Sequence, residues 1–400
     1  MFHPLLVLPS VLTLLAMPAA GSVVPLDEPV IRRVAIVVYE GVELLDFAGP
    51  GEVFSAARHP DGSRFEVYTI ASSLEPVTSQ GFVRVTPQHT FADGPVPDIA
   101  VVPGGSIPLR DKELRAWLVR CSQESEIVMS VCNGALALAA AGLLDGREVT
   151  THHGSLDSLQ AMAPTSSVFT NRRFVDTGRI VTSAGVSAGI DGALHVVSRL
   201  LGAEEARSTA EYMEYEWRPE EIAELHAQPG ERLVGLGASA ILSRVREDGL
   251  EQALVWFAQL DEAPTEVKLN RSGYSLLSAE RTDDALALLK FVARAFPDSA
   301  NAGDSYSDVL EHAGRREEAA EIARRALARI DRDETLGETR LELLRNALAS
   351  RVARLSGSVE ALGWICPPCG RGCDERRYLR PTTCPDCRMQ LVAVEGGEVE

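Results

Sequence analysis

The sequence has no basic stripe. Acidic residues outnumber basic ones, 57 to 39, and the formal net charge is −18. Binding to nucleic acid depends on clustered Lys and Arg that neutralise phosphates, so a nucleic-acid partner is not expected. Long apolar runs are also scarce. Residues 5–17 form the one such stretch, too short and too broken by proline to span a bilayer comfortably. Small residues suited to signal peptidase follow it, Pro18-Ala19-Ala20-Gly21-Ser22, although Met1-Phe2-His3-Pro4 lacks the usual Lys or Arg. The reading is a cleaved signal peptide over residues 1–20 and an exported protein, periplasmic or extracellular. A retained anchor or a misplaced start is the alternative. Finally, the seven cysteines are not spread as in a disulfide scaffold: Cys121 and Cys132 lie in the first half, and five crowd into the last 35 residues. With 45% hydrophobic and 24% charged residues the chain has an ordinary globular balance. At 400 residues it is too long for one core, so two or three domains are expected.

What is present centres on Ser130-Val131-Cys132-Asn133-Gly134. It follows the apolar run 126–129 and precedes an alanine-rich helix expected over 135–144. A strand that turns into a helix around one cysteine, with glycine two residues on, has the form of a nucleophile elbow. The partial positive charge at a helix N-terminus favours thiolate over thiol. The plainer reading is a buried structural cysteine.

Residues 31–228 alternate strand and helix patterns. Strands are expected over 34–39, 65–70, 83–86, 99–102 and 126–129, and helices over 47–58, 111–125 and 190–202. Such alternation predicts a parallel sheet covered on both faces, with chemistry outside the carboxyl ends of its strands. Asp46, Gly104-Gly105 and Cys132 all fall at such ends. Cys121, on the amphipathic helix, reads as packing.

These residues carry a resemblance. VAIVVYEGVELLDFAGPGEVF (34–54), Val101-Val102-Pro103-Gly104-Gly105, Ser130 to Ala135, Ala140-Ala141-Gly142-Leu143-Leu144, Thr150-Thr151-His152 and SAGVSAGID (183–191) resemble the ThiJ/PfpI (DJ-1) superfamily. Within it the chain looks most like isonitrile hydratases and the amidotransferase-like domains of AraC-type regulators. The resemblance implies an α/β flavodoxin-like parallel-sheet sandwich of the class I glutamine amidotransferase type. It implies Cys132 as nucleophile, Asp46 as the acid beside it, Gly104 and Gly105 as oxyanion-hole N–H donors, and His152 near the thiol. It also implies a homodimer and a small-molecule substrate or ligand. The hydratases and regulators usually carry Thr after the cysteine. Here Asn133 stands there and takes that place among the catalytic candidates; an amide can hydrogen-bond but cannot shuttle a proton as a hydroxyl can. The basic helix-turn-helix pair of the regulators is missing. Enzyme and non-catalytic thiol or ligand sensor both stay open.

Residues 229–355 lose the strand pattern and read as helices. RTDDALALL (281–289) matches RREEAAEIA (315–323) at an interval of 34 residues, and GLEQALVW (249–256) is a weaker copy. This resembles tetratricopeptide repeats and implies a surface for a peptide or protein partner. In residues 360–395, Cys366-Pro367-Pro368-Cys369 and Cys384-Pro385-Asp386-Cys387 form two CxxC knuckles. Four thiolates so spaced suit a structural zinc ribbon; iron or disulfides are the alternatives, and Cys373 could replace Cys369.

Overall fold

A computed structural model of the chain describes residues 29–227, 237–333 and 336–356, together with three short strands further on. The signal-peptide segment 1–20 and the cysteines Cys366, Cys369, Cys373, Cys384 and Cys387 lie outside the described residues.

The first unit runs β1 (Ile31–Val37), α1 (Leu44–Ala56), β2 (Arg64–Ala71), β3 (Val77–Ser79), β4 (Val83–Val85), β5 (His89–Thr90), β6 (Ile99–Val102), α2 (Lys112–Glu124), β7 (Ile127–Ser130) and α3 (Ala135–Ala140). It continues with β8 (Glu148–Val149), α4 (Leu156–Met162), β9 (Ser167–Val168), β10 (Phe174–Asp176), β11 (Ile180–Ser183), α5 (Ala188–Leu201), α6 (Ala203–Tyr212) and α7 (Pro219–Ala227). Seven strands form one sheet in the order β10-β11-β7-β6-β1-β2-β5. Every pairing in it is parallel except β10 with β11. This is a flavodoxin-like α/β domain.

The strand period of two sends alternate side chains to opposite faces. Val34, Ile36, Ile99, Val101, Ile127 and Met129 enter one core, closed by Val53 and Phe54 of α1 and by Leu194 and Val197 of α5. Ala35, Val37, Ala100, Val102 and Val128 enter the other, against Leu114, Trp117 and Leu118 of α2 and Leu136 and Leu138 of α3. Strands buried on both faces need continuous apolar runs, which is why β6 and β7 read Ile-Ala-Val-Val and Ile-Val-Met-Ser.

An all-helical region follows: α8 (Ala238–Glu247), α9 (Leu250–Phe257), α10 (Glu266–Ser278), α11 (Thr282–Ala295), α12 (Ala300–His312), α13 (Arg316–Leu327) and α14 (Glu338–Ser356). The starts of α10 and α12 are 34 residues apart, as are those of α11 and α13. Small residues let the hairpin helices approach: a Cβ on Gly273 would sit 2.6 Å from Leu289, and one on Gly303 would sit 2.7 Å from Ala326. The region does not hang free. Its Leu269, Leu276 and Leu277 join the same core as α2, α3 and Leu159 of α4. Arg281 donates to the carbonyls of Ala161 (2.6 Å) and Met162 (2.9 Å), the last turn of α4, where unsatisfied carbonyls favour a cation. Strands β12 (Trp364–Ile365), β13 (Arg377–Tyr378) and β14 (Val392–Ala393) form a small antiparallel sheet. Among the described residues no helix is long and apolar enough to cross a membrane.

Candidate active site at the elbow after β7

β7 delivers Val131, whose N–H donates to Val102 O of the neighbouring strand at 3.0 Å. The chain then breaks direction. Cys132 has φ 57°, in the left-handed region that an L-residue with a Cβ adopts only under constraint. The constraint is visible. The Cys132 N–H donates to Ala184 O (3.0 Å), and its carbonyl accepts from Thr151 Oγ1 (2.6 Å). Residues 132–134 form a single 3₁₀ turn before α3. Gly134 is required there, because a Cβ would run into the Val102 carbonyl. The helix expected over 135–144 is therefore six residues long and one turn removed from the sulfur.

Asp46 lies in the first turn of α1 and is fully buried. Its Oδ2 accepts the Gly104 N–H at 2.9 Å, while Oδ1 is buried without a partner in hydrogen-bonding geometry. The Cys132 thiol and the Val186 N–H interact with the same carboxyl group. Burial, with Glu43 adding to it and the Gly104 N–H opposing, raises the Asp46 carboxyl to about 6. Burial and then the Asp46 charge push the Cys132 thiol up to about 12, against hydrogen bonds from the Asn133 and Val186 N–H groups. The thiolate expected from the helix end is thus not the resting form. Desolvation and a neighbouring carboxylate outweigh the dipole of a helix this short. At neutral pH the pair holds one proton, which rests on the sulfur while the Asp46 carboxyl beside it is largely ionised.

Gly104 is the floor of the site. A Cβ there would meet Asp46 Oδ2 at 2.8 Å and Cys132 Cβ at 2.9 Å, and would overlap Asn133 Oδ1. Gly105 has φ 121° and packs against the Gly41 carbonyl. The Asn133 amide grips it at two points, accepting from the Gly105 N–H (2.8 Å) and donating to the Gly105 carbonyl (3.0 Å). That two-point contact needs a donor and an acceptor on one planar group, which an amide supplies and a single hydroxyl does not. It also bears on two expectations. Both glycine N–H groups are engaged, by Asp46 and Asn133, so neither stands free as an oxyanion donor. Asn133 fixes the loop through its Oδ1 and one of its two Nδ2–H donors.

His152 caps the turn of residues 153–155. Its Nδ1 accepts from the Gly154 N–H at 3.1 Å, and its ring packs at a tilt on His153, centroids 4.0 Å apart. The ring lies against Gly185, where a Cβ would collide with it. Burial, His153 and Arg271 lower its pKa, and Glu43 opposes them. His152 therefore meets the site through Gly185, the residue between Ala184 and Val186.

The profile of the DJ-1/PfpI family matches residues 32–199. The isonitrile hydratase of Pseudomonas putida is 34% identical over 186 residues, 46% of this chain and 78% of that protein. The Parkinson disease protein 7 homolog of Danio rerio is 27% identical over 183 residues, 44% of this chain and 93% of its own. Among solved structures, a THiJ/PfpI family protein from Pseudomonas syringae shares 29% identity with a TM-score of 0.44, over 51% of this chain and 84% of that one. This chain belongs to the DJ-1/PfpI family.

The DJ-1/PfpI match ends within α5, so the helical region lies beyond it. Within the DJ-1/PfpI domain, four contributors escaped the sequence reading. Val186 presents an N–H to the Cys132–Asp46 pair from a strained backbone, φ 51°. For a β-branched residue that is a genuine outlier, and nothing in the letter Val announces it. Tyr39 donates to Pro103 O at 2.7 Å and steadies the Gly104 loop. Glu43 stands at the N-cap of α1, near enough to act on both Asp46 and His152. Thr151 holds the Cys132 carbonyl; like the other three it lies in a stretch quoted for the resemblance, which implies no role for it.

Proposed function

We propose that the α/β domain is a cysteine-dependent, hydratase-type enzyme acting on a small electrophilic carbon, with Cys132 as nucleophile and Asp46 as its proton partner. The observation that carries this is the buried Asp46 carboxyl set against a thiol on a strained elbow, so that one proton serves two atoms. As the sulfur attacks, the S–H bond breaks and the proton passes to Asp46 while the S–C bond forms. For an isonitrile carbon, Asp46 returns that proton to the carbon and leaves a thioimidate. Water then displaces the sulfur, releases a formamide and restores the thiol. The addition step develops no oxyanion, which suits a loop whose glycine N–H groups are engaged by Asp46 and Asn133. Amide hydrolysis, which needs such donors free, suits it less. The similarity to a protein named isonitrile hydratase supports the same substrate class.

The test is product analysis after incubating the purified chain with small isonitriles, nitriles and 2-oxoaldehydes. Formamide from the isonitriles, absent in Cys132→Ser, is the expected result. No turnover of any of them, with peroxide converting Cys132 to a sulfinate, would instead favour the sensor reading. Protonated Asp46 and the Asn133 N–H would then hold the sulfinate oxygens.

For the remainder, the 34-residue offset of paired helices supports tetratricopeptide-like repeats that bind a partner. A cleft of about 550 Å³ among α11, α12 and α13 is lined by Lys290, Arg294, Arg325 and Arg329, with Glu318 as its one acidic residue. It suits an acidic segment, and its binding should weaken with salt. β12 ends directly before Cys366, and β12 to β14 bracket the CxxC pairs, an arrangement compatible with a zinc ribbon. Metal analysis of protein purified without reductant tests it. Export by way of residues 1–20 is read out by the N-terminus of the mature protein. Homodimer formation, implied by the family, is read out by sedimentation.

A further inference from the structure

We propose that Arg271, carried by the helical region, is a positioning residue of the thiol site: it clamps the Gly154 peptide and so fixes the His152 ring against Gly185, next to Val186. The proposal rests on the reading of Cys132 as the reactive group. It also assigns the helical region a part in the site that the α/β domain does not supply by itself.

The chain of contacts is short and each link is specific. Arg271 Nη1 donates to the Gly154 carbonyl at 2.8 Å. The N–H of the same glycine donates to His152 Nδ1 at 3.1 Å. A Cβ on Gly154 would be 3.2 Å from both Arg271 Nη1 and His152 Nδ1, so guanidinium and imidazole flank this residue closely. His152 packs on Gly185, between Ala184, whose carbonyl accepts the Cys132 N–H, and Val186, whose N–H reaches the thiol and Asp46. One residue before His152, Thr151 Oγ1 donates to the Cys132 carbonyl. Residues 151–154 are therefore tied to Cys132 at one end and to α10 at the other.

The docking of α10 makes the tie rigid. Arg271 bonds the turn that leads into α4, and Arg281 bonds the last turn of α4, so the helical region grips α4 at both ends. Between them the hydroxyls of Ser158 and Ser272 face each other at 3.4 Å. The charged and titratable groups that act on His152 come from three elements: His153 on its own turn, Arg271 on α10 and Glu43 at the start of α1. Arg271 is the one contributed from outside the α/β domain. Its cation disfavours imidazolium and keeps Nδ1 available to accept the Gly154 N–H.

The experiment uses the full chain. His152 is titrated by NMR of its ring Cε1–H, assigned through His152→Gln, in wild type, Arg271→Ala, Arg271→Lys and Arg281→Ala. Alkylation of Cys132 is timed in parallel. In Arg271→Ala the His152 pKa should rise by about 0.5, less in high salt, and alkylation should accelerate about threefold as the turn loosens over the buried thiol. Arg271→Lys should restore most of both effects. Arg281→Ala, which weakens the same docking without touching Gly154, should leave both near wild type. The proposal is overturned if Arg271→Ala leaves the His152 pKa within about 0.1 of wild type, or if Arg281→Ala moves it equally. Should wild-type Cys132 resist every electrophile, the proposed function fails, and the His152 titration still decides for or against Arg271.

Discussion

The end of α2 and the end of β7 each hold a buried free cysteine, and burial pushes both thiols up to about 12. By titration they look alike. They differ in backbone and neighbour. Cys121 sits in a regular helix, its carbonyl taking the Ser125 N–H at 2.9 Å, and its side chain joins Leu118 and Trp117 in the core. Cys132 sits at φ 57° with a buried carboxyl beside it. Neither strain nor a buried acid is retained for packing alone, since each costs on the order of 1–3 kcal/mol. A shifted thiol is therefore poor evidence of chemistry by itself. A shifted thiol on a strained elbow with a partner acid is good evidence.

The comparison can be broken most decisively at the two cysteines. Cys132→Ser should abolish turnover, by about a thousandfold or more. Cys121→Ser should leave it within about twofold and lower stability by about 1–2 kcal/mol, because a hydroxyl replaces a thiol in an apolar site. Product assays and denaturant melts measure the two effects. Next in size is Asp46→Asn, for which turnover should fall about a hundredfold. Its stability carries a sign. The folded Asp46 value of about 6 lies above the ordinary 3.8, so the folded state holds this proton more tightly than the unfolded one. The contribution is present at acid pH and is lost as pH rises from about 4 to about 6. Asn has no such dependence, so the variant should gain on wild type across that window, by at most about 3 kcal/mol. Equal pH dependence in the two proteins would contradict the assignment.

Smaller effects sharpen the geometry. Gly104→Ala should cost about 1–3 kcal/mol and slow turnover, since its methyl would press on Asp46, Cys132 and Asn133 at once. Asn133→Ala strips both partners from the Gly105 peptide. A loss of about 1–2 kcal/mol is expected, with a smaller effect on rate than Asp46→Asn. If Asn133→Ala were as inactive as Cys132→Ser, Asn133 would act on substrate and not on the loop.

Much of the α/β domain was legible in the sequence, because parallel strands buried on two faces must be continuous apolar runs. The run 99–102 is the strand β6 to the residue, whereas Asp111, expected as the first residue of a helix over 111–125, is the cap of α2. Strand β11 lacks that apolar run. Its Ile-Val-Thr-Ser reads as half polar, yet it is buried throughout, with Thr182 donating no apolar signal but accepting the Thr150 N–H. At the site, Cys132, Asp46 and Gly104 could be read from motif position. Their consequences could not: that the glycine N–H groups are engaged, and that the thiol rests protonated, follow from distances no spacing encodes. Val186 and Arg271 act through a backbone N–H and a contact spanning 117 residues of chain. Val186 lies in the 183–191 motif, but its residue type does not show the role, and nothing around Arg271 marks its contact.

The central claim is that Cys132 and Asp46 share one proton. The pH dependence of Cys132 alkylation, measured side by side in wild type and Asp46→Asn, tests it most directly. The account predicts a wild-type thiol that stays protonated well above its ordinary range, and a clear fall in its pKa, by about one or more, when the neighbouring charge is removed. Superimposable profiles, or a wild-type thiol already ionised at neutral pH, would contradict it.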